Sequence, residues 1–132
     1  MNIKTLQGFT LPELLLSAAI LSYSLSVILL TFTSTIALNE ASRNLTTAVS
    51  HGEYVLENIR NTSFGTIAAN ISSGTWNWDT AAITTKGLTA LKSEAIAVAS
   101  NGSSLLNVTV TVSWNDLNGR ARSRTLQTSI SG

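Results

Sequence analysis

The chain has 132 residues, about the length of one domain, with a formal net charge of +1 and no cysteine. Lack of cysteine excludes a disulfide framework, thiolate metal sites and cysteine nucleophiles, and the near-neutral total argues against a nucleic-acid partner. Charged residues make up 11% of the chain, well under the roughly 25% usual for soluble domains. The apolar 44% is concentrated near the N-terminus, ahead of a remainder rich in Ser, Thr, Asn and Gly.

The first element is a membrane-type helix. Leu14 to Asn39 contains no charged residue, no Gly and no Pro. As a helix this run is about 39 Å long at 1.5 Å per residue, against a hydrocarbon core of about 30 Å. Ser17, Ser22, Ser24, Ser26, Thr31 and Thr33 are spread through it. Their hydroxyls can bond back to helix carbonyls or to a neighbouring helix, which suits a segment that sits in lipid and later packs on protein. A cleaved secretory signal would need a shorter apolar core with small residues after it. A plain anchor, with Lys4 cytoplasmic and the C-terminal part outside, gives no reason for Glu13. A carboxylate at the lip of such a helix costs several kcal/mol unless it is paired, and is a functional candidate.

Around that glutamate the residues read Gln7-Gly8-Phe9-Thr10-Leu11-Pro12-Glu13-Leu14-Leu15. This resembles the class III signal of type IV pilins and type II secretion pseudopilins: a short polar leader ending in Gly, then Phe, then Glu four residues later, ahead of an apolar block. The resemblance implies that residues 1–8 are a leader, that prepilin peptidase cuts after Gly8, and that the same enzyme N-methylates the new amine on Phe9. It also implies a precursor in the bacterial inner membrane, N-terminus cytoplasmic and head outside, that later joins a pilus or periplasmic filament. Gly8 lets a protease approach the backbone closely. The amine freed at Phe9 sits badly beside the positive end of a helix dipole, whereas a carboxylate sits well there. Glu13 can therefore neutralise that amine on its own chain or on the next subunit, and pairing across subunits would set axial register. Pro12 falls in the first turn of the cut chain, where its missing N–H costs nothing. One departure from the best-known signal is that the leader's single positive charge, Lys4, is not beside the Gly.

Beyond Asn39 the pattern becomes amphipathic. Leu38, Leu45, Val49, Gly52, Leu56 and Ile59 recur at three- and four-residue steps, predicting a stripe that covers a head. One helix is thus expected from about Leu11 to about Arg60, ended by turn-forming residues at Asn61 to Gly65. Gly52 is expected to serve close packing more than bending, and His51, the only histidine, to be solvated or partner-facing. Residues 61–91 are polar and weakly patterned and read as a loop region. Trp76 and Trp78 within it are expected to dock as a lid on the core, an exposed contact being the alternative.

After Gly87 the period changes to two. Lys92 to Ser100 alternates, Asn101-Gly102 signals a hairpin, and Leu106, Val108, Val110, Val112 and Trp114 share one strand face. Asn118-Gly119 is a second turn. Arg120 to Ser131 gives another strand, with Leu126 and Ile130 on one side and Arg120, Arg122 and Arg124 as a basic stripe that defends an edge against aggregation. Three strands cannot bury an apolar face alone, so the amphipathic helix half must cover it. The expected class is α+β: one long N-terminal helix on an antiparallel sheet of about three or four strands, split as a 9–38 membrane and filament-core segment and a 39–132 head with its strands in 92–131. Pilin resemblance implies the same fold, and Val108 to Asp116 followed by Gly119-Arg120 is similar to the C-terminal hairpin of PilV-type minor pilins and small pseudopilins.

No carboxylate pair, metal-ligand cluster, phosphate loop or nucleophile triad can be assembled from this sequence, so neither an enzyme nor a cofactor is expected. The leading expectation is a structural subunit of a type IV pilus whose partners are other pilin subunits, the prepilin peptidase and the inner membrane. The alternatives are a pseudopilin of a secretion or DNA-uptake system, and a membrane-anchored adhesion or binding module. A missing C-terminal Cys pair and the small head favour a minor subunit over the major one.

Overall fold

The computed structural model describes residues 8–132. Residues 1–7 of the expected 1–8 leader, Lys4 included, lie outside the described residues. The elements are α1 (Leu11–Arg60), α2 (Phe64–Ser72), β1 (Trp78–Asp79), α3 (Thr80–Thr85), β2 (Ala95–Asn101), β3 (Leu105–Asn115) and β4 (Ala121–Ser131). The strands form one antiparallel sheet in the order β1-β2-β3-β4. The fold is therefore α+β, with one long N-terminal helix packed through its C-terminal part on a four-stranded antiparallel sheet. Internal contacts divide the chain into two compact units, one ending at Leu38 and the other beginning at Asn39.

In the first unit, α1 is long and apolar enough to cross a membrane, and none of its apolar window is buried. Its serine and threonine hydroxyls are satisfied internally. Ser17, Ser22, Ser24 and Ser26 donate to the carbonyls of Glu13, Ala18, Ile20 and Ser22 at 2.8–2.9 Å, and Thr31, Ser34 and Thr35 do likewise one turn back. The Ser and Thr side chains that dilute the hydrophobicity thus spend their hydroxyl donors on the helix's own carbonyls, which suits a lipid environment.

In the second unit, the helix buries Ala48, His51, Gly52, Val55, Leu56 and Ile59 against the sheet. This differs from the expected stripe: Leu38 is 72% exposed and Leu45 44% exposed. The covered face is set by Gly52, where an added Cβ would lie 2.7 Å from Leu126 Cδ1 and 3.5 Å from Val112 Cγ2. Ala48, Val55 and Ile59, all fully buried, lie on the same helix face as Gly52. On the sheet, Ile96, Val98, Leu106, Val108, Val110, Val112 and Trp114 alternate into the core as the period-two pattern predicted. Each fully buried valine contributes about 1.5–3 kcal/mol.

Residues 61–91, expected as a loop region, instead hold α2, β1 and α3. Both helices are too short for periodicity to reveal, and caps with one anchor each account for them. The α2 helix buries Ile67 and ends at Gly74 (φ +75), where Gly74 N–H donates to Ile71 O and Thr75 N–H to Asn70 O, a Schellman closure. Asp79 caps α3 by accepting from Ala82 N–H at 2.8 Å. The helix buries Ile83 and ends at Gly87 (φ +79) with the same pair of bonds, Gly87 to Thr84 and Leu88 to Ile83. Trp76 and Trp78 are each 6% exposed within the core, as the lid expectation required. Trp78 donates to Thr75 O at 3.2 Å and lies under the Lys86 ammonium, 4.5 Å from ring centroid to Nζ.

The β2–β3 connection is longer than a two-residue hairpin. Asn101 pairs with Asn107, leaving residues 102–106 between them, with Gly102 at φ +96. The β3–β4 turn is tighter: Gly119 N–H donates to Asp116 O and Asp116 N–H to Arg120 O, both at 2.9 Å, around Gly119 at φ +74. This is a three-residue turn closed by a left-handed glycine.

Candidate functional site

The residues singled out by the sequence fall at the start of α1. Thr10 is the residue before the helix, and its carbonyl accepts from Glu13 N–H and Leu14 N–H, both at 3.1 Å. The Glu13 carboxylate reaches back, with Oε2 3.4 Å from Thr10 N and 3.5 Å from Thr10 Oγ1. Thr10-Leu11-Pro12-Glu13 is thus half of a capping box, a signal readable from Thr-x-x-Glu ahead of an apolar run. Glu13 accordingly has a local role: its charge sits by unpaired amides at the positive end of the helix dipole. Phe9 is 73% exposed. Gly8 is exposed as well, and a Cβ built on it would meet nothing within 4 Å. Nothing among the described residues therefore requires glycine at position 8 on packing grounds. Phe9, Thr10 and Glu13 surround one open depression together with Gly8.

His51 is not on the surface. It is 4% exposed and Glu94 is 1% exposed, with His51 Nδ1 2.7 Å from Glu94 Oε1. The other carboxylate oxygen accepts from Leu91 N–H at 2.6 Å, and the Glu94 carbonyl accepts from Thr80 Oγ1 at 3.0 Å. A three-residue step closes this turn, Glu94 N–H to Leu91 O, with Ser93 at φ +53. The pair pins α1 to the entrance of β2. Its partner lies 43 positions away, so no local spacing could have revealed it. Among the described residues no three His, Asp or Glu side chains gather as a metal-binding group.

The basic run divides. Arg120 lies in the turn, while Arg122 and Arg124 lie in β4 opposite Trp114 and Val112, on the sheet face that carries α1. Arg120 Nε and Arg122 Nη2 each lie 3.3 Å from Asp116 Oδ2. Asp116 Oδ1 accepts from Arg120 N–H at 2.8 Å. That backbone bond, helped by the two guanidinium charges and opposed by desolvation, holds the Asp116 carboxyl below its usual value of 3.8. A pocket of about 250 Å³ beside this cluster is lined by Ala41, Asn44, Leu45, Trp114, Asp116, Arg122 and Ser123.

Comparison with protein-family models, with curated proteins and with solved structures found no match to this chain.

Proposed function

We propose that the protein is a filament subunit of the type IV pilin kind, inserted in a membrane as a precursor, cut after Gly8 and assembled through the apolar part of α1. The observation that carries this reading is the set Gly8, Phe9 and Glu13 at the mouth of an apolar helix none of whose window is buried by its own chain. A helix with its backbone and its Ser and Thr hydroxyls satisfied internally can exchange lipid for neighbouring helices, and polar pairing then selects the register. Glycine at position 8 has no packing cause among the described residues, which is what a recognition residue for a peptidase would look like. Glu13 has two available partners: the Thr10 amide within the chain and the amine that cleavage would free at Phe9. The same helix serves a pilus or a secretion pseudopilus. The absence of cysteine and the compact head favour a minor subunit, with other subunits, a prepilin peptidase and the inner membrane as partners.

Mass spectrometry of the mature protein tests the processing step. A first residue of methylated Phe9 is expected, and an intact Met1 would overturn the reading. Glu13→Gln tests the assembly step, because glutamine keeps the capping geometry and loses the charge. Membrane insertion is expected to persist while filament incorporation falls. Normal incorporation of this variant would sink the register argument.

A further inference from the structure

We propose that the outer edge of β4 takes an extended segment of a partner protein as a fifth strand, and that this segment carries an acidic side chain flanked at two-residue steps by apolar ones. This is a property of the head and does not rest on the filament reading.

The open ladder follows from backbone parity. β4 is the last strand of the sheet and has 11 residues, about twice the usual strand length. At the turn, Asp116 N–H donates to Arg120 O, so the backbone of Arg120 faces β3. Amide direction alternates along a strand as the side chains do, and the β3–β4 register runs unbroken from Asn115↔Ala121 to Leu105↔Ser131. Arg122, Arg124, Leu126, Thr128 and Ile130 therefore turn their amides and carbonyls toward β3. Ser123, Thr125, Gln127 and Ser129 turn theirs away from the sheet, and all four residues are exposed. Neither a bulge nor a proline interrupts β4, although both are common ways of blocking an edge.

The side chains of an added strand alternate in the same way. Those opposite the even-numbered residues of β4 fall on the face that carries the C-terminal part of α1, and three recognition points recur there at steps of roughly 6.6 Å, two residues of strand. At Arg122 is the pocket of about 250 Å³ that contains Leu45 and Trp114. At Leu126 a second pocket, of about 480 Å³, has Leu56 and Leu126 in its wall. Between them Arg124 is exposed and makes no ion pair among the described residues, whereas Arg122 already has Asp116. An acid is therefore matched opposite Arg124, with an apolar side chain on each side of it. Glu53 and Glu57 on the rim of the second pocket, with only Arg60 to offset them, disfavour a second acid there. Opposite Ser123, Thr125 and Gln127 the added strand meets uncharged side chains, which suits small polar residues. An inward-pointing arginine alone reads as edge defence. Set between two part-apolar pockets and beside an open ladder, it rejects basic strands and admits an acidic one.

The probe is a fluorescein-labelled peptide, Thr-Val-Thr-Glu-Thr-Val-Thr, whose side-chain order is the same in either direction. It is titrated with the full-length protein in micelles of an uncharged detergent, and its anisotropy is read against empty micelles. Saturable binding with a Kd below about 1 mM is expected. Replacing the peptide's Glu by Lys, or Arg124→Gln in the protein, should weaken binding about tenfold or more. N-methylation of the two Thr beside the Glu should abolish binding. Thr125→Pro should do the same, since it removes an outward N–H and no bond of the sheet. Tryptophan fluorescence checks that each variant is folded, and if Thr125→Pro is not, the N-methylated peptide reads the same ladder on the unaltered chain. No saturation with the folded chain would overturn the inference. Equal binding of the Lys peptide, or unchanged binding to Arg124→Gln, would overturn the selection of an acid and, with it, the inference. Equal binding of the N-methylated peptide would mean attraction without strand pairing and would overturn it too. An intact Met1, which sinks the filament reading, alters none of these outcomes.

Discussion

Removing either partner of the buried His51–Glu94 pair is expected to destabilise the head severely. The two side chains are 5% and 0% exposed and 2.7 Å apart. In His51→Ala, Glu94 keeps its bond from the Leu91 amide and loses its other side-chain partner. Breaking a buried pair in this way costs about 3–5 kcal/mol. The head spans 132 − 38 = 94 residues, so its total stability is on the order of 5–14 kcal/mol, and this one change would remove a large share. At about 4 °C or more per kcal/mol, the midpoint should fall by at least about 12 °C. The assay is thermal unfolding of the full chain in detergent, followed by tryptophan fluorescence. Trp76, Trp78 and Trp114 are all buried in the head, so the signal reports the head alone. A double variant, His51→Leu/Glu94→Leu, removes both polar groups and should recover about 2 kcal/mol relative to the sum of the two single leucine variants. Single losses below about 1 kcal/mol, or strict additivity in the cycle, would refute the reasoning.

Three further outcomes are expected. Gly102→Ala should lower stability by more than about 1 kcal/mol, since φ is +96 and the new Cβ would collide with the Leu105 carbonyl oxygen; denaturant unfolding measures it. Ser93→Gly should raise stability by a few tenths to about 1 kcal/mol, because Ser93 holds φ +53 in the turn that presents Glu94; the same titration checks it. Asp116 has a depressed carboxyl pKa in the fold, so its stabilisation is fully present above the ordinary value of 3.8 and is lost as pH falls through the lower folded value. Protection of the hairpin amides, taken relative to intrinsic exchange, should therefore fall below about pH 4 in the native chain and show less of that acid dependence in Asp116→Asn.

Long or strictly periodic features were legible in the sequence. The charge-free run, the Val108–Trp114 alternation and the two Asn-Gly turns needed only local rules, since a helix or strand face is written at steps of 3.6 or 2. Position 52 was legible too, because glycine inside an amphipathic helix has few other uses. Residues 61–91 were not, as six- and nine-residue helices show no full period. Their order depends on Asp79, Gly74 and Gly87 as caps and on Ile67 and Ile83 finding a core. His51 was misplaced for a related reason. On a helix of mixed polarity its side is decided by what stands opposite, and Glu94 lies on a distant turn.

The N-terminal set shows the same division. Gly8, Phe9 and Glu13 were singled out by their resemblance to a class III prepilin signal, whereas the fold adds that a Cβ at Gly8 meets nothing among the described residues and that the Glu13 carboxylate reaches back to Thr10. The arginine stripe was visible as a run of alternating charges. That Arg120 and Arg122 share Asp116 Oδ2 beside Ala41, Asn44 and Leu45 of α1 was decided by tertiary structure. Chain order records which residues alternate, whereas the packing of α1 along β4 determines which end of the hairpin faces which end of the helix.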